Sequence, residues 1–120
     1  MSGRTILVAE DEASVRTFLV TVLERSGYQV LAAVDGSAAI AVLENGAIVI
    51  DAVVSDVDMP GATGLEVVAF ARSRRPGVGL VLTSGTNLWT ADQIADGVTL
   101  LQKPFTIDQL LEAIAATLPP

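Results

Sequence analysis

Five short apolar runs punctuate the chain at nearly even intervals: TILVA (5–9), YQVLAAV (28–34), DAVVS (51–55), VGLVLT (78–83) and GVTLL (97–101). Most are continuous rather than alternating. An alternating run has one wet face, whereas a continuous run suits a strand covered on both faces, as in a parallel sheet. The intervals carry helical spacing instead. Val15, Phe18, Leu19, Val22 and Leu23 follow the i, i+3, i+4, i+7, i+8 rule, and Gly27 is placed to end that helix. Ile107, Leu110, Leu111, Ile114 and Leu118 repeat the pattern, opened by Thr106 with Gln109 as a capping box. Residues 37–45 and 64–75 are the second and third helices, ending near Gly46 and Pro76. Between Thr83 and Lys103 only Thr90 to Asp96 leaves room for a further helix, of about two turns, with Thr90 and Gln93 as its capping box and Gly97 as its stop. Five βα units thus consume all 120 residues. That alternation predicts an α/β three-layer sandwich with right-handed crossovers, a single domain over 1–120 without an output domain. Pro119-Pro120 is where a linker would begin in a longer parent.

Composition narrows what such a sandwich can do. A chain of 120 residues, 51% of them apolar, is long enough for one core and not for two. Six arginines and one lysine against fourteen acids give a net charge of −7, so no basic stripe exists for nucleic acid or an anionic membrane. With no cysteine and no histidine, thiolate chemistry is excluded and any metal site must be built from oxygen ligands. No apolar run approaches the roughly 18 residues of a membrane helix. The stretch before Glu10 is too short for a signal peptide. The expectation is a soluble, cytoplasmic protein.

In a parallel sheet every strand ends on the same edge, and ligands bind outside that edge where the strand order reverses. There the sequence places Glu10-Asp11-Glu12 after the first run, Asp56 after the third, Thr83-Ser84-Gly85 after the fourth and Lys103-Pro104 after the fifth. Taken singly, each has an ordinary explanation. An acidic triplet at a helix start serves as N-cap and dipole partner, and Arg72, Arg74 and Arg75 complement a helix C-terminus. An aspartate before a turn is usually solvated, a lysine lies on a surface, and Trp89 anchors a loop. Jointly, those explanations need four coincidences at one edge. Carboxylates about 4 Å apart repel by roughly 4 kcal/mol at an effective dielectric near 20. Glu10, Asp11 and Asp56 therefore need a cation, a proton or the lysine beside them. Mg²⁺ is the natural candidate, and a carboxylate, Mg²⁺, a hydroxyl and a lysine are the parts needed to move a phosphoryl group onto an aspartate.

ILVAEDE, VVSDVDMPGATGLEVV, VLTSG and LLQKPF, in this order and spacing, resemble the motifs of response-regulator receiver domains of bacterial two-component systems, over essentially the whole chain. The resemblance implies a flavodoxin-like (βα)5 fold with a five-stranded parallel sheet in the order 2-1-3-4-5. It implies that Asp56 accepts a phosphoryl group from the phosphohistidine of a histidine kinase or histidine phosphotransfer protein. Mg²⁺ would be held by Asp11, Asp56 and the backbone carbonyl of Asp58, with Glu10 contacting it directly or through water. Thr83 would hydrogen-bond a phosphoryl oxygen and Lys103 would pair with another, the Lys103-Pro104 bond being cis. The protein would not be an enzyme beyond assisting its own phosphorylation and dephosphorylation. Output would pass through protein–protein contact, with self-association into a homodimer left open.

Three departures stand beside the resemblance. Glu10-Asp11 replaces the usual pair of aspartates, Leu100 stands where many members carry a switching aromatic, and the segment from Thr83 to Lys103 is short. The hydroxyl could be that of Thr83 or of Ser84. Two rivals follow: a pseudo-receiver that only binds partners, and an Asp-nucleophile phosphatase of the haloacid dehalogenase type. The phosphatase reading suffers because the motif sits at the third strand, is followed by Met59-Pro60, and comes with no cap domain.

Overall fold

The computed structural model describes residues 3–85 and 97–118. The described residues hold nine elements: β1 (Thr5–Ala9), α1 (Ala13–Arg25), β2 (Gln29–Ala33), α2 (Gly36–Glu44), β3 (Ala52–Asp56), α3 (Gly64–Arg74), β4 (Gly79–Ser84), β5 (Val98–Gln102) and α4 (Ile107–Thr117). The five strands form one parallel sheet in the order β2-β1-β3-β4-β5, as expected for a flavodoxin-like fold. The helix expected over 90–96 falls outside the described residues.

Strand alternation splits the core into two layers. Leu7, Val53, Leu80 and Leu82 face α2 and α3, packing with Ala39, Leu43, Val67 and Ala71. Their neighbours Ile6, Val8, Val54 and Val81 face α1 and α4, against Leu19, Leu23, Leu110 and Ile114. Each buried leucine, isoleucine or valine among these contributes about 1.5–3 kcal/mol relative to exposure. The central strands β1, β3 and β4 are covered on both faces, which their continuous apolar runs require. The expectation of two covered faces fails at β2 and β5, which form the sheet's edges and, apart from buried Ala33, consist of half-buried and exposed residues.

Helix 1 buries Leu19, Val22 and Leu23, but Phe18, placed by its spacing on the apolar stripe, is 45% exposed; Ile107 on α4 likewise faces outward. The Thr106/Gln109 capping box forms, and a second, Thr63/Glu66, opens α3. Asp35 caps α2 by accepting from the Ala38 amide at 2.8 Å, which starts that helix one residue earlier than its apolar spacing indicates. At the other end of the α3 layer, Arg75 does more than complement a helix dipole. Its guanidinium donates to the carbonyls of Ile48, Leu43 (3.1 Å) and Asn45 (2.9 Å), tying the end of α3 to the exit from α2. Among the described residues, no helix is long and apolar enough to cross a membrane.

Candidate functional site

Three of the four strands that bear on the site begin and end one residue later than their apolar runs. β3 runs from Ala52, and its last residue is Asp56; just before it, the Asp51 carboxylate accepts from the Thr5 amide at 2.8 Å. β4 ends on Ser84, and β5 ends on Gln102, leaving Lys103 as the next residue at the same edge. The chain turns away after Asp56 through Met59, Pro60 and Gly61, the glycine at φ +76°. Gly64 then brings the start of α3 against β3, where a Cβ would lie 2.3 Å from the Asp56 carbonyl oxygen.

The register decides between Thr83 and Ser84. Thr83 is the cross-strand partner of Asp56, and its carbonyl accepts from the Val57 amide at 2.9 Å. Partners in a parallel pair share a face, so Thr83 lies with Asp56 on the α1/α4 side and Ser84 on the opposite side. Both are buried.

Four side chains from three separate parts of the sequence meet here. Carboxylate atoms of Glu10, Asp11 and Asp56 all lie within 4.8 Å of one another. The Lys103 ammonium stands 3.4 Å from Glu10 Oε1 and 3.4 Å from Asp56 Oδ1, bridging the two. The Lys103-Pro104 bond is cis. Glu10 is 1% exposed and Asp56 8%, while Asp11 and Asp58 are open to solvent. Glu10 is engaged at both oxygens, since Oε2 accepts from the Glu12 amide at 3.1 Å. The extra methylene of glutamate thus carries its carboxylate to the lysine and leaves Asp11 as the exposed member of the set.

Electrostatics follow from burial. Burial pushes the Glu10 carboxyl above its ordinary range, opposed by the Glu12 amide and reinforced by the Asp56 charge, with Lys103 opposing. Burial also raises Asp56, against the opposing pull of Lys103. For Lys103, burial works to lower the value, but the charges of Asp56 and Glu10 outweigh it and the ammonium is held above the usual lysine range. Three carboxylates against one ammonium leave an excess of negative charge in a partly dry pocket made wholly of oxygen donors. That is the donor set a small hard divalent cation fits.

Arg16, which its sequence pattern did not single out, donates from Nη1 to the Glu10 carbonyl at 2.8 Å and to the Asp11 carbonyl at 3.4 Å. A cation one helical turn beyond the acidic triplet was the available signal.

The sequence matches the family model described as Response regulator receiver domain over residues 6–115. Among curated proteins, it is 37% identical over 120 residues to the transcriptional regulatory protein TcrA of Mycobacterium tuberculosis, covering 97% of this chain and 46% of that one. The chain thus spans about half the length of that relative. Among solved structures, a response regulator receiver protein from Sinorhizobium medicae superposes with a TM-score of 0.91 at 33% identity, covering 97% and 94% of the two chains. The response regulator TrrA of Thermotoga maritima, solved in complex with Mg²⁺-BeF, gives a TM-score of 0.82 at 30% identity, covering 96% and 99%. Strand order, motif order and an acidic pocket at the strand ends coincide with these matches, and the chain belongs to the response regulator receiver domains of two-component systems.

Proposed function

We propose that this receiver is a working phosphoacceptor, taking a phosphoryl group onto Asp56 from the phosphohistidine of a histidine kinase or histidine phosphotransfer protein. The observation that carries the proposal is the Lys103 ammonium, 3.4 Å from both Glu10 and Asp56 at the mouth of a three-carboxylate cluster. An Asp56 carboxylate oxygen attacks phosphorus while the phosphorus–nitrogen bond to the imidazole breaks, and the imidazole leaves neutral, the electron pair of the broken bond staying on its nitrogen and the proton already on its other ring nitrogen. Lys103 neutralises charge on the transferring oxygens, the Thr83 hydroxyl holds one of them in the product, and burial of Asp56 excludes competing water. Asp11, Asp56 and the Asp58 carbonyl are the groups that would hold Mg²⁺, with Glu10 acting through water because its oxygens are already engaged. When bound, the ion supplies the positive charge that offsets the crowded carboxylates and the incoming phosphoryl oxygens. The likeness to TrrA, whose structure contains Mg²⁺-BeF, supports this choice of ion.

On this reading the chain is no enzyme in its own right, works in the cytoplasm and passes its signal by protein–protein contact. The test is incubation with Mg²⁺ and acetyl phosphate followed by intact mass. One added phosphoryl group, absent from Asp56→Asn, supports the proposal. A label that persists in that variant or maps elsewhere overturns it, and turnover of the phosphodonor without a stable adduct would favour the phosphatase alternative. The pseudo-receiver reading draws on Leu100, 37% exposed on the edge strand β5 where many members carry an aromatic. It requires that no label form at all.

A further inference from the structure

The segment carrying Glu10 and Asp11 has to hold two like-charged side chains in one pocket while joining β1 to α1. The other described helices secure their first turns with a side-chain cap: Asp35 for α2, Thr63 for α3 and Thr106 for α4. α1 has none. Its N-cap residue, Glu12, makes no side-chain cap hydrogen bond, and the helix has no acidic residue in its first turn. Repulsion among Glu10, Asp11 and Asp56 therefore acts on a junction that lacks the usual restraint.

Arg16 supplies a restraint of another kind. Its amide continues the helix by donating to the Glu12 carbonyl at 2.9 Å, while its guanidinium turns back to the carbonyls of Glu10 and Asp11. Among the described residues the salt bridges are both made by Lys103, so the Arg16 charge is spent on the backbone and not on a carboxylate. Both bonds come from one guanidinium nitrogen, Nη1, which the planar, pre-organised end of an arginine side chain holds in place more firmly than a flexible lysine stem holds its ammonium. Half-buried beneath the loop, it fixes the peptide units from which both carboxylates project.

We propose that Arg16 is a positioning residue for the divalent-cation site, holding the Glu10–Asp11 backbone so that both carboxylates face Asp56. The inference rests on the cation-binding part of the functional reading and adds to it a residue outside the acidic cluster. Loss of a group that orients metal ligands typically weakens binding by about 10- to 100-fold. The sign makes the test sharp. A nearby positive charge by itself repels Mg²⁺, so deleting it through simple electrostatics would tighten binding. Deleting a positioning group loosens it.

Calorimetric titration of the purified chain with MgCl₂ decides the matter. Arg16→Ala should bind Mg²⁺ about tenfold more weakly than wild type, and Arg16→Lys, which keeps the charge and reaches one carbonyl, should fall between them. Equal or tighter binding in a folded Arg16→Ala variant would overturn the proposal. If that variant loses its circular dichroism signature, Arg16→Gln carries the same expectation and the same refutation. A wild-type chain that takes up no Mg²⁺ would overturn the functional reading together with this inference, whereas wild-type uptake matched by the variants would overturn the inference alone.

Discussion

Replacing Asp56 should make the metal-free protein more stable. Asp56 is 8% exposed, and Asn is close to it in size while carrying no charge. At an effective dielectric near 20, the Lys103 contact at 3.4 Å favours ionised Asp56 by about 5 kcal/mol. Glu10, within 4.8 Å, opposes it by at least about 3.5 kcal/mol on the same scale. Asp11 adds to the repulsion from a position that water screens. These terms nearly cancel, so the cost of drying the Asp56 carboxylate decides the sign, in keeping with its raised pKa. We expect Asp56→Asn to gain about 1–2 kcal/mol at pH 7 in EDTA, a rise of roughly 0.5–1 M in the urea midpoint. The pH dependence carries the sign. A carboxyl whose folded pKa is raised stabilises the fold below its ordinary value of 3.8 and loses that contribution as pH climbs through the folded value. The gap between variant and wild type should thus be small near pH 3 and widen toward neutrality. Added Mg²⁺ should narrow or reverse it, because the wild type then gains ligand-linked stability. A variant less stable than wild type at pH 7 in EDTA, or a gap that ignores pH, would refute the reasoning.

Lys103→Met removes both 3.4 Å contacts and leaves two buried carboxylates facing each other; with the lysine side chain 27% exposed, a loss of about 1–3 kcal/mol at pH 7 is expected by urea unfolding, fading in acid. Gly64→Ala drives a Cβ to 2.3 Å from the Asp56 carbonyl oxygen, so it should cost about 1–3 kcal/mol and slow acetyl phosphate labelling through a displaced β3 terminus. Arg75→Ala strips three carbonyls of their donor and should lower the thermal midpoint by an amount matching about 1–3 kcal/mol, with labelling at Asp56 retained. Thr83→Ala should accept the label but release it at an altered rate, measured by intact mass over time.

Much of this was legible because the fold's demands are periodic. Central strands covered on both faces must read as unbroken apolar runs, and the run ends carried Glu10, Asp56, Thr83 and Lys103 to one edge, where the structure gathers them. What escaped depends on partners rather than on patterns. No local rule marks β2 and β5 as edges, since strand order is set by crossovers and not by composition. Phe18 satisfied helical spacing, yet the sheet beneath α1 is filled by Leu19, Val22 and Leu23, and the phenylalanine is left outside. Asp51 looked like the first strand residue, but β3 begins at Ala52, and the Asp51 carboxylate accepts from the Thr5 amide. Register matters more to the chemistry than that boundary. A one-residue slip moves every side chain of a strand to the other face. Pairing from Ala52 with Gly79 to Asp56 with Thr83 puts the threonine, not the serine, on the face of the carboxylate. Which hydroxyl lies beside Asp56, open in the sequence, therefore depends on how β3 and β4 pair along their whole length, and no residue of the site fixes that alone.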